Sequence, residues 1–345
     1  MPILSKRRTL LALLFALSGL APHVARAEGE HYVMISHAPD SDSWWNVIKN
    51  ANRHAAEDFR VKLDYRNPPN GDLADMARLV EQAAARRYDG VIVSIADIDV
   101  LRKPLKDVTA KRIPLLTINS GTHQQSEELG AIMHVGQPEH AAGHAAGLRA
   151  KAAGIKSFVC VNHYATNPAS FERCRGFAEA IGADYRSATL DTNGVDPGVI
   201  ESKVSAYLRA KPATQAVLTL SPDGASPTLS ALAKLGRKGK IWFATFDLSD
   251  DIVRNIKDGT IAFAIDQQPY LQGYIPVAVL AIARQQKLSD PARIREALVA
   301  NPRFQARLRE YGLTPVYGAR HISSGPGFVT KENVDKLAQY AGQYR

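Results

Sequence analysis

Short apolar runs alternate with amphipathic stretches of helical length along most of this chain, and that alternation leaves few folds open. The apolar runs at 32–36, 62–65, 90–95, 114–118 and 132–135 read as strands, with helices expected at 44–59, 72–87, 100–111 and 138–153 between them. In the second helix Leu73, Met76, Ala77, Val80, Ala83 and Ala84 share one face at the 3.6-residue period. Repeated units of this kind predict an α/β fold, a parallel sheet covered by helices on both faces.

A second series follows. Strands are expected at 157–161, 185–190, 216–220, 241–246 and 261–265, and helices at 170–181, 197–210, 227–235, 250–257 and 272–286. One sheet holding all these strands would be unusually large. Two lobes of about 110–130 residues each match ordinary domain size.

The N-terminus carries an export pattern: Lys6-Arg7-Arg8, a short apolar stretch over 9–20, then the small residues of Ala25-Arg26-Ala27. Residues 1–27 are expected to be a signal peptide cleaved after Ala27, placing the protein in the periplasm; an uncleaved anchor is the other reading. The whole chain has a net charge of +9, and removing Lys6, Arg7, Arg8 and Arg26 leaves +5. The remaining basic residues are scattered, so nucleic acid is not the expected partner. Cys160 and Cys174 are the two cysteines. In an exported chain such a pair is expected to form a disulfide, with two free buried thiols as the alternative. His140 and His144 stand four apart on a helix without an intervening acid, so they read as helix-face residues and no metal site is expected.

Trp44-Trp45 follow the first strand and its polar turn and open the first helix. Flat apolar rings beside acids and a histidine suit the faces of a sugar. Core packing is the competing reading. Their place at a strand-to-helix turn favours a ligand, because open α/β sheets bind at that end.

The order of several motifs resembles a known family. They are the segment 36–45 with its aromatic pair, Thr117-Ile118-Asn119-Ser120, Arg173-Cys174-Arg175-Gly176-Phe177, Thr245-Phe246-Asp247 and Ile265-Asp266-Gln267-Gln268-Pro269. Together they resemble the periplasmic substrate-binding proteins of sugar ABC transporters, of the ribose-binding type with a lactose-repressor-like core. The resemblance implies two similar three-layer α/β lobes with parallel sheets, joined by a three-strand hinge, with the ligand in the interlobe cleft. Its expected division is residues 28–136 plus 268–315 for the N-terminal lobe and 137–267 plus 316–330 for the C-terminal lobe. A helix is expected over 331–345. The crossings are expected at Gly136-Gln137, at Asp266-Gln267 and within 312–327.

Carried over residue by residue, Trp44 and Trp45 match the aromatic pair around the sugar, and Asp42 a polar contact just before it. Asn119 stands where the family has an acid. Asp247 and Gln267 match directly, and Asp223 lies beside a contact position now occupied by Pro222. Ser120 and Phe171 replace two arginines, which removes two bidentate donors and argues for a neutral ligand. His37, Asn167 and His163, near strand ends, are candidates for the lost donor roles. The implied function is capture of a neutral monosaccharide or polyol for delivery to ABC permease subunits, by a monomer without a cofactor. A sugar-sensing receptor for a chemotaxis or sensor-kinase partner would use the same cleft. An exported glycosidase would need two carboxylates flanking one bond, and the aromatic clamp casts these acids as hydroxyl acceptors instead.

Overall fold

Residues 29–345, except 166, are described by a computed structural model of the chain. The expected leader, residues 1–27, lies outside them. The first lobe begins with β1 His31–Ile35, α1 Trp45–Phe59, β2 Lys62–Arg66, α2 Leu73–Arg86 and β3 Gly90–Ser94. It continues through α3 Ile98–Ala110, β4 Leu115–Ile118, α4 His123–Glu128 and β5 His134–Gly136. The chain then crosses and builds the second lobe from α5 Glu139–Ala152, β6 Phe158–Asn162, α6 Pro168–Ile181, α7 Tyr185–Ala188 and β7 Thr189–Asp191. That lobe is extended by α8 Pro197–Ala210, β8 Ala216–Thr219, α9 Pro222–Lys234, β9 Trp242–Phe246, α10 Asp250–Lys257 and β10 Phe263–Asp266. A return crossing adds α11 Pro269–Gln285, α12 Pro291–Ala300, α13 Pro302–Tyr311, β11 Val316–Tyr317 and β12 His321–Ser323 to the first lobe. A last crossing leads to β13 Gly327–Val329 and α14 Val334–Leu337.

The first sheet runs β11-β12-β5-β4-β3-β1-β2 and the second β13-β10-β9-β8-β6-β7. Both are parallel except at one edge, where β11 is antiparallel to β12 and β13 to β10. Each sheet carries an apolar cluster on either face, giving two three-layer lobes. The near-continuous apolar strands are what a sheet buried on both sides requires.

Several expectations need correction. The segment expected as a strand at 185–190 opens with the short helix α7, because Asp184 accepts from the backbone N–H groups of Arg186 and Ser187. Residues 316–323, expected in the second lobe, join the first sheet, β12 pairing with β5 and β11 with β12, so the third crossing falls at 324–326. In place of a C-terminal helix over 331–345 stand α14 and a single 3-10 turn. Val334 there joins the second lobe's core, while Tyr340 and Tyr344 pack on the first lobe's core. Pairs of cap and proline, Asp290-Pro291 and Asn301-Pro302, start two helices that the apolar period did not reveal.

The packing that matters most for the cleft is α5 against α6. A Cβ on Gly176 would lie 2.2 Å from His140 O, and one on Gly143 2.1 Å from Arg173 O. The helices approach this closely because both positions lack a side chain. A Cys160–Cys174 disulfide, with Cα atoms 5.8 Å apart, ties α6 to β6. Both sulfurs belong to fully buried residues. Helix α6 is thus fixed on two sides, and Arg173, next to the bridge, is carried to a set position. The chain-entropy model gives a closed loop of this length roughly 3 kcal/mol of stability. Thiol reagents are therefore expected to label neither cysteine in the denatured, unreduced protein, and reduction should lower the melting temperature. Two free thiols before reduction would contradict the bridge.

Candidate functional site

Between the lobes, at the carboxyl ends of both parallel sheets, lies a narrow void of ≈ 30 Å³, about one water's share of liquid volume. The lobes therefore stand closed on each other and must part to admit a larger molecule. The first lobe supplies His37, Asp42, Trp44 and Trp45 from the turn and helix after β1, and Asn119 from the end of β4. The second lobe supplies His163, Tyr164 and Asn167 after β6, Ala169, Ser170 and Arg173 on α6, Leu220 and Ser221 after β8, and Asp247 after β9. Gln267 comes from the return crossing.

The two halves are built alike. Asn119 and Asp247 each follow the strand beside the last β-strand before a crossing. Their N–H groups donate to Val135 O at 3.0 Å and Ile265 O at 2.7 Å. Both adopt left-handed backbone, φ 57° and 64°. Asn and Asp tolerate that region better than other non-glycine residues, and the strain turns both side chains out of the strand line.

Of the residues expected at the site, His37, Asp42, Trp44, Trp45, Asn119, Asn167, Asp247 and Gln267 line the void, as does His163. Ser120, Phe171 and Asp223 do not. Ser120 is buried just behind the wall, donating to Asn119 Oδ1 at 3.0 Å and accepting from Asn167 Nδ2 at 3.0 Å. Phe171 is half-buried on α6 and stays outside the lining. Asp223 sits at the rim, where Ser43 Oγ donates to it at 3.1 Å.

Most lining groups already have partners. Asn119 Nδ2 donates to Gln272 Oε1 at 3.0 Å. Asn167 Oδ1 caps α6, and its Nδ2 also lies 3.3 Å from His37 Nε2. His37 Nδ1 meets Ser94 Oγ at 2.9 Å. Since Asn167 donates to Nε2, the proton of a neutral His37 belongs on Nδ1. Burial pushes His37 down to about 4 and His163 to about 3, so both rings are neutral near pH 7. Trp45 is largely core, edge-on to Trp44 and to His37 with ring centroids 5.3 Å apart in each pair.

Three buried atoms facing this void have no hydrogen-bond partner: Trp44 Nε1, His163 Nδ1 and Asp247 Oδ1. The Trp44 indole lies close enough to the Asp247 carboxylate to stabilise its charge, yet falls short of hydrogen-bond geometry. An unpaired buried polar group costs about 1–3 kcal/mol, so such groups gathered at one cavity point to a polar occupant.

Arg173 is the residue the motif reading undervalued. It is the one arginine or lysine among the described residues lining the void. Its Nε and Nη2 donate to both oxygens of buried Glu139 at 2.6 and 2.8 Å, and Nη1 donates to Leu220 O at 3.1 Å. Nη2 also donates to Gln267 Oε1 at 2.6 Å, and Gln267 Nε2 passes the chain on to Asp247 Oδ2 at 2.6 Å. A guanidinium thus stands in the cleft although Ser120 and Phe171 replace two arginines, and Glu139 matches its charge. The near-absence of other basic residues was legible, but the pairing was not, since Glu139 and Arg173 stand far apart in sequence. Tyr164 was also missed, in a loop without periodic pattern.

Residues 32–287 match the family profile described as periplasmic binding protein domain. A xylose/arabinose-binding protein of Sulfolobus acidocaldarius is 22% identical over 274 residues, covering 72% of this chain and 68% of that protein. A ribose import binding protein of Haemophilus influenzae is 26% identical over 226 residues, 63% of this chain and 72% of that one. Among solved structures, a carbohydrate transporter from Acidothermus cellulolyticus 11B in complex with myo-inositol is 30% identical with a TM-score of 0.77. That alignment spans 91% of this chain and 98% of the other.

Asp247 makes the site's electrostatics testable. Burial pushes its carboxyl from an ordinary 3.8 up to about 7, against the opposing pull of Arg173, Trp44 and Gln267. A raised carboxyl keeps its proton in the folded state where the unfolded chain has lost it. Stability should therefore fall as pH rises from about 4 to about 7. Asp247→Asn escapes that cost. Its melting temperature is expected to exceed the wild type's at pH 8, with the gap closing by pH 4. A gap independent of pH would contradict the assignment.

Proposed function

Because this chain belongs to the periplasmic binding protein family, we propose that it captures a neutral monosaccharide or polyol between its lobes and delivers it to an inner-membrane ABC importer. The observation that carries this reading is the set of unpartnered buried atoms at one void, Trp44 Nε1, His163 Nδ1 and Asp247 Oδ1. A polyhydroxylated ring, admitted as the lobes part, offers a partner to each of the three. One hydroxyl donates to the carboxylate in a charge-assisted bond, another accepts from the indole N–H, and a third pairs with the imidazole. The Trp44 ring adds apolar contact to the C–H face.

Charge supports a neutral ligand. Glu139 matches Arg173, so an anionic sugar would meet no uncompensated cation. The relatives named for xylose, arabinose and ribose, and the related structure holding myo-inositol, bracket the same chemical class. No catalysis is assigned. Glycoside hydrolysis by a carboxylate pair needs two available acids. Asp42 is occupied by Trp44 N and Tyr164 Oη, leaving Asp247 as the carboxylate with an unpaired oxygen in the lining.

A thermal-shift panel of myo-inositol, D-xylose, D-arabinose, D-ribose and D-glucose tests the reading. At least one should raise the melting temperature, since a ligand at about 100 times its Kd adds roughly 2.7 kcal/mol. Trp44→Phe keeps a ring but loses the N–H, and should weaken that sugar roughly tenfold. A panel without any shift, or wild-type affinity in Trp44→Phe, would contradict the proposal.

A further inference from the structure

Besides the contacts of Asn167 with Ser120 and His37, two hydrogen bonds span the lobes at the rim of the void. Tyr164 Oη, from the second lobe, donates to Asp42 Oδ2 of the first at 2.5 Å. Ser43 Oγ, from the first lobe, donates to Asp223 Oδ1 of the second at 3.1 Å. Both Asp42 oxygens are engaged, because the other one accepts from Trp44 N at 3.1 Å. Burial and the Asp42 carboxylate raise the Tyr164 phenol well above its ordinary pKa, which keeps it a donor. Asp42 is buried and Tyr164 half-buried, whereas Ser43 is exposed, so the phenol–carboxylate bond is the inner and more strongly desolvated of the two.

We propose that the Tyr164–Asp42 hydrogen bond is the latch that holds the two lobes closed, and that Asp42 serves binding through Tyr164 and not as an acceptor for the ligand. The latch sets the population of the closed state, and every ligand then gains from it equally. Such a pair acts on the rate of release, because opening must break it. This deepens the sugar-binding reading and rests on it for the affinity measurements alone.

The test compares wild type, Tyr164→Phe, Asp42→Ala and the double variant. Tyr164→Phe keeps the ring and its packing, so it is the variant expected to stay fully folded. Small-angle scattering of the ligand-free proteins should give Tyr164→Phe a larger radius of gyration than wild type. Calorimetry with each monosaccharide of the panel that binds should show a loss of roughly tenfold, the same for every sugar, carried by faster dissociation. The loss caused by Asp42→Ala should shrink by that same factor in the Tyr164→Phe background. Sugar-dependent losses, additive effects in the double variant, or an unchanged radius would overturn the latch. Should no sugar bind the wild type, the sugar reading falls, and the scattering comparison still decides the latch by itself.

Discussion

The buried ion pair between Arg173 and Glu139 is the fixed point of the cleft. Glu139 opens α5 just after the first crossing, and Gln137 of that crossing donates to it at 2.8 Å. Arg173 reaches Gln267 of the second crossing, and Gln267 reaches Asp247 in the wall. One guanidinium therefore ties two hinge strands to the carboxylate most available to a ligand. Breaking such a buried pair from one side costs about 3–5 kcal/mol, because the remaining charge is stranded. Its geometry is good enough to hold: both carboxylate oxygens are met, and the guanidinium lies 4.5 Å from the Phe246 ring centre. The close α5–α6 packing and the disulfide place Arg173 there, which links distant glycines and cysteines to the chemistry of the void.

A second network holds the hinge from the other side. Gln268, at φ 49°, donates to Ser324 O of the third crossing at 2.6 Å and accepts from Thr314 N at 2.7 Å. Asp266 pairs with Arg345 at 2.8 Å, and Arg345 also donates to Gly312 O and Gln268 Oε1. Asn119 joins this network through Gln272, whose amide donates to Ser324 Oγ at 3.0 Å. A wall residue of the first lobe and the crossing strands are thus in hydrogen-bond continuity. Closure by hinge bending asks for this arrangement, with rigid lobes and a few bonded residues absorbing the motion.

Much of this was legible in the sequence. The apolar period located the strands and helices up to α11, because burial on both faces of a parallel sheet leaves a strong pattern. It failed at α4, at α7 and after α11, where capping by Thr122, Asp184, Asp290 and Asn301 decides the structure and periodicity is weak. The site divided along the same line. Trp44, Asp247 and Gln267 were readable because they end strands or crossings in a recognisable order. Tyr164 and the Arg173–Glu139 pair were not, since their roles arise from contacts between segments far apart in sequence. Asn119 and Asn167, expected at the site, line the void, yet they spend their amides on Gln272, Ser120 and His37, which only the assembled fold reveals.

The central claim is that one neutral sugar completes the bonding of Asp247 inside a closed cleft. Isothermal titration at pH 7 in two buffers of different ionisation enthalpy, using the sugar with the largest thermal shift, tests it most directly. A hydroxyl donating to Asp247 favours the charged carboxylate, whose pKa burial holds at about 7. The account predicts binding at one sugar per chain with net proton release at pH 7, and no release at pH 9, where the carboxylate is already ionised. Proton uptake, or binding heats identical in both buffers at pH 7, would contradict it.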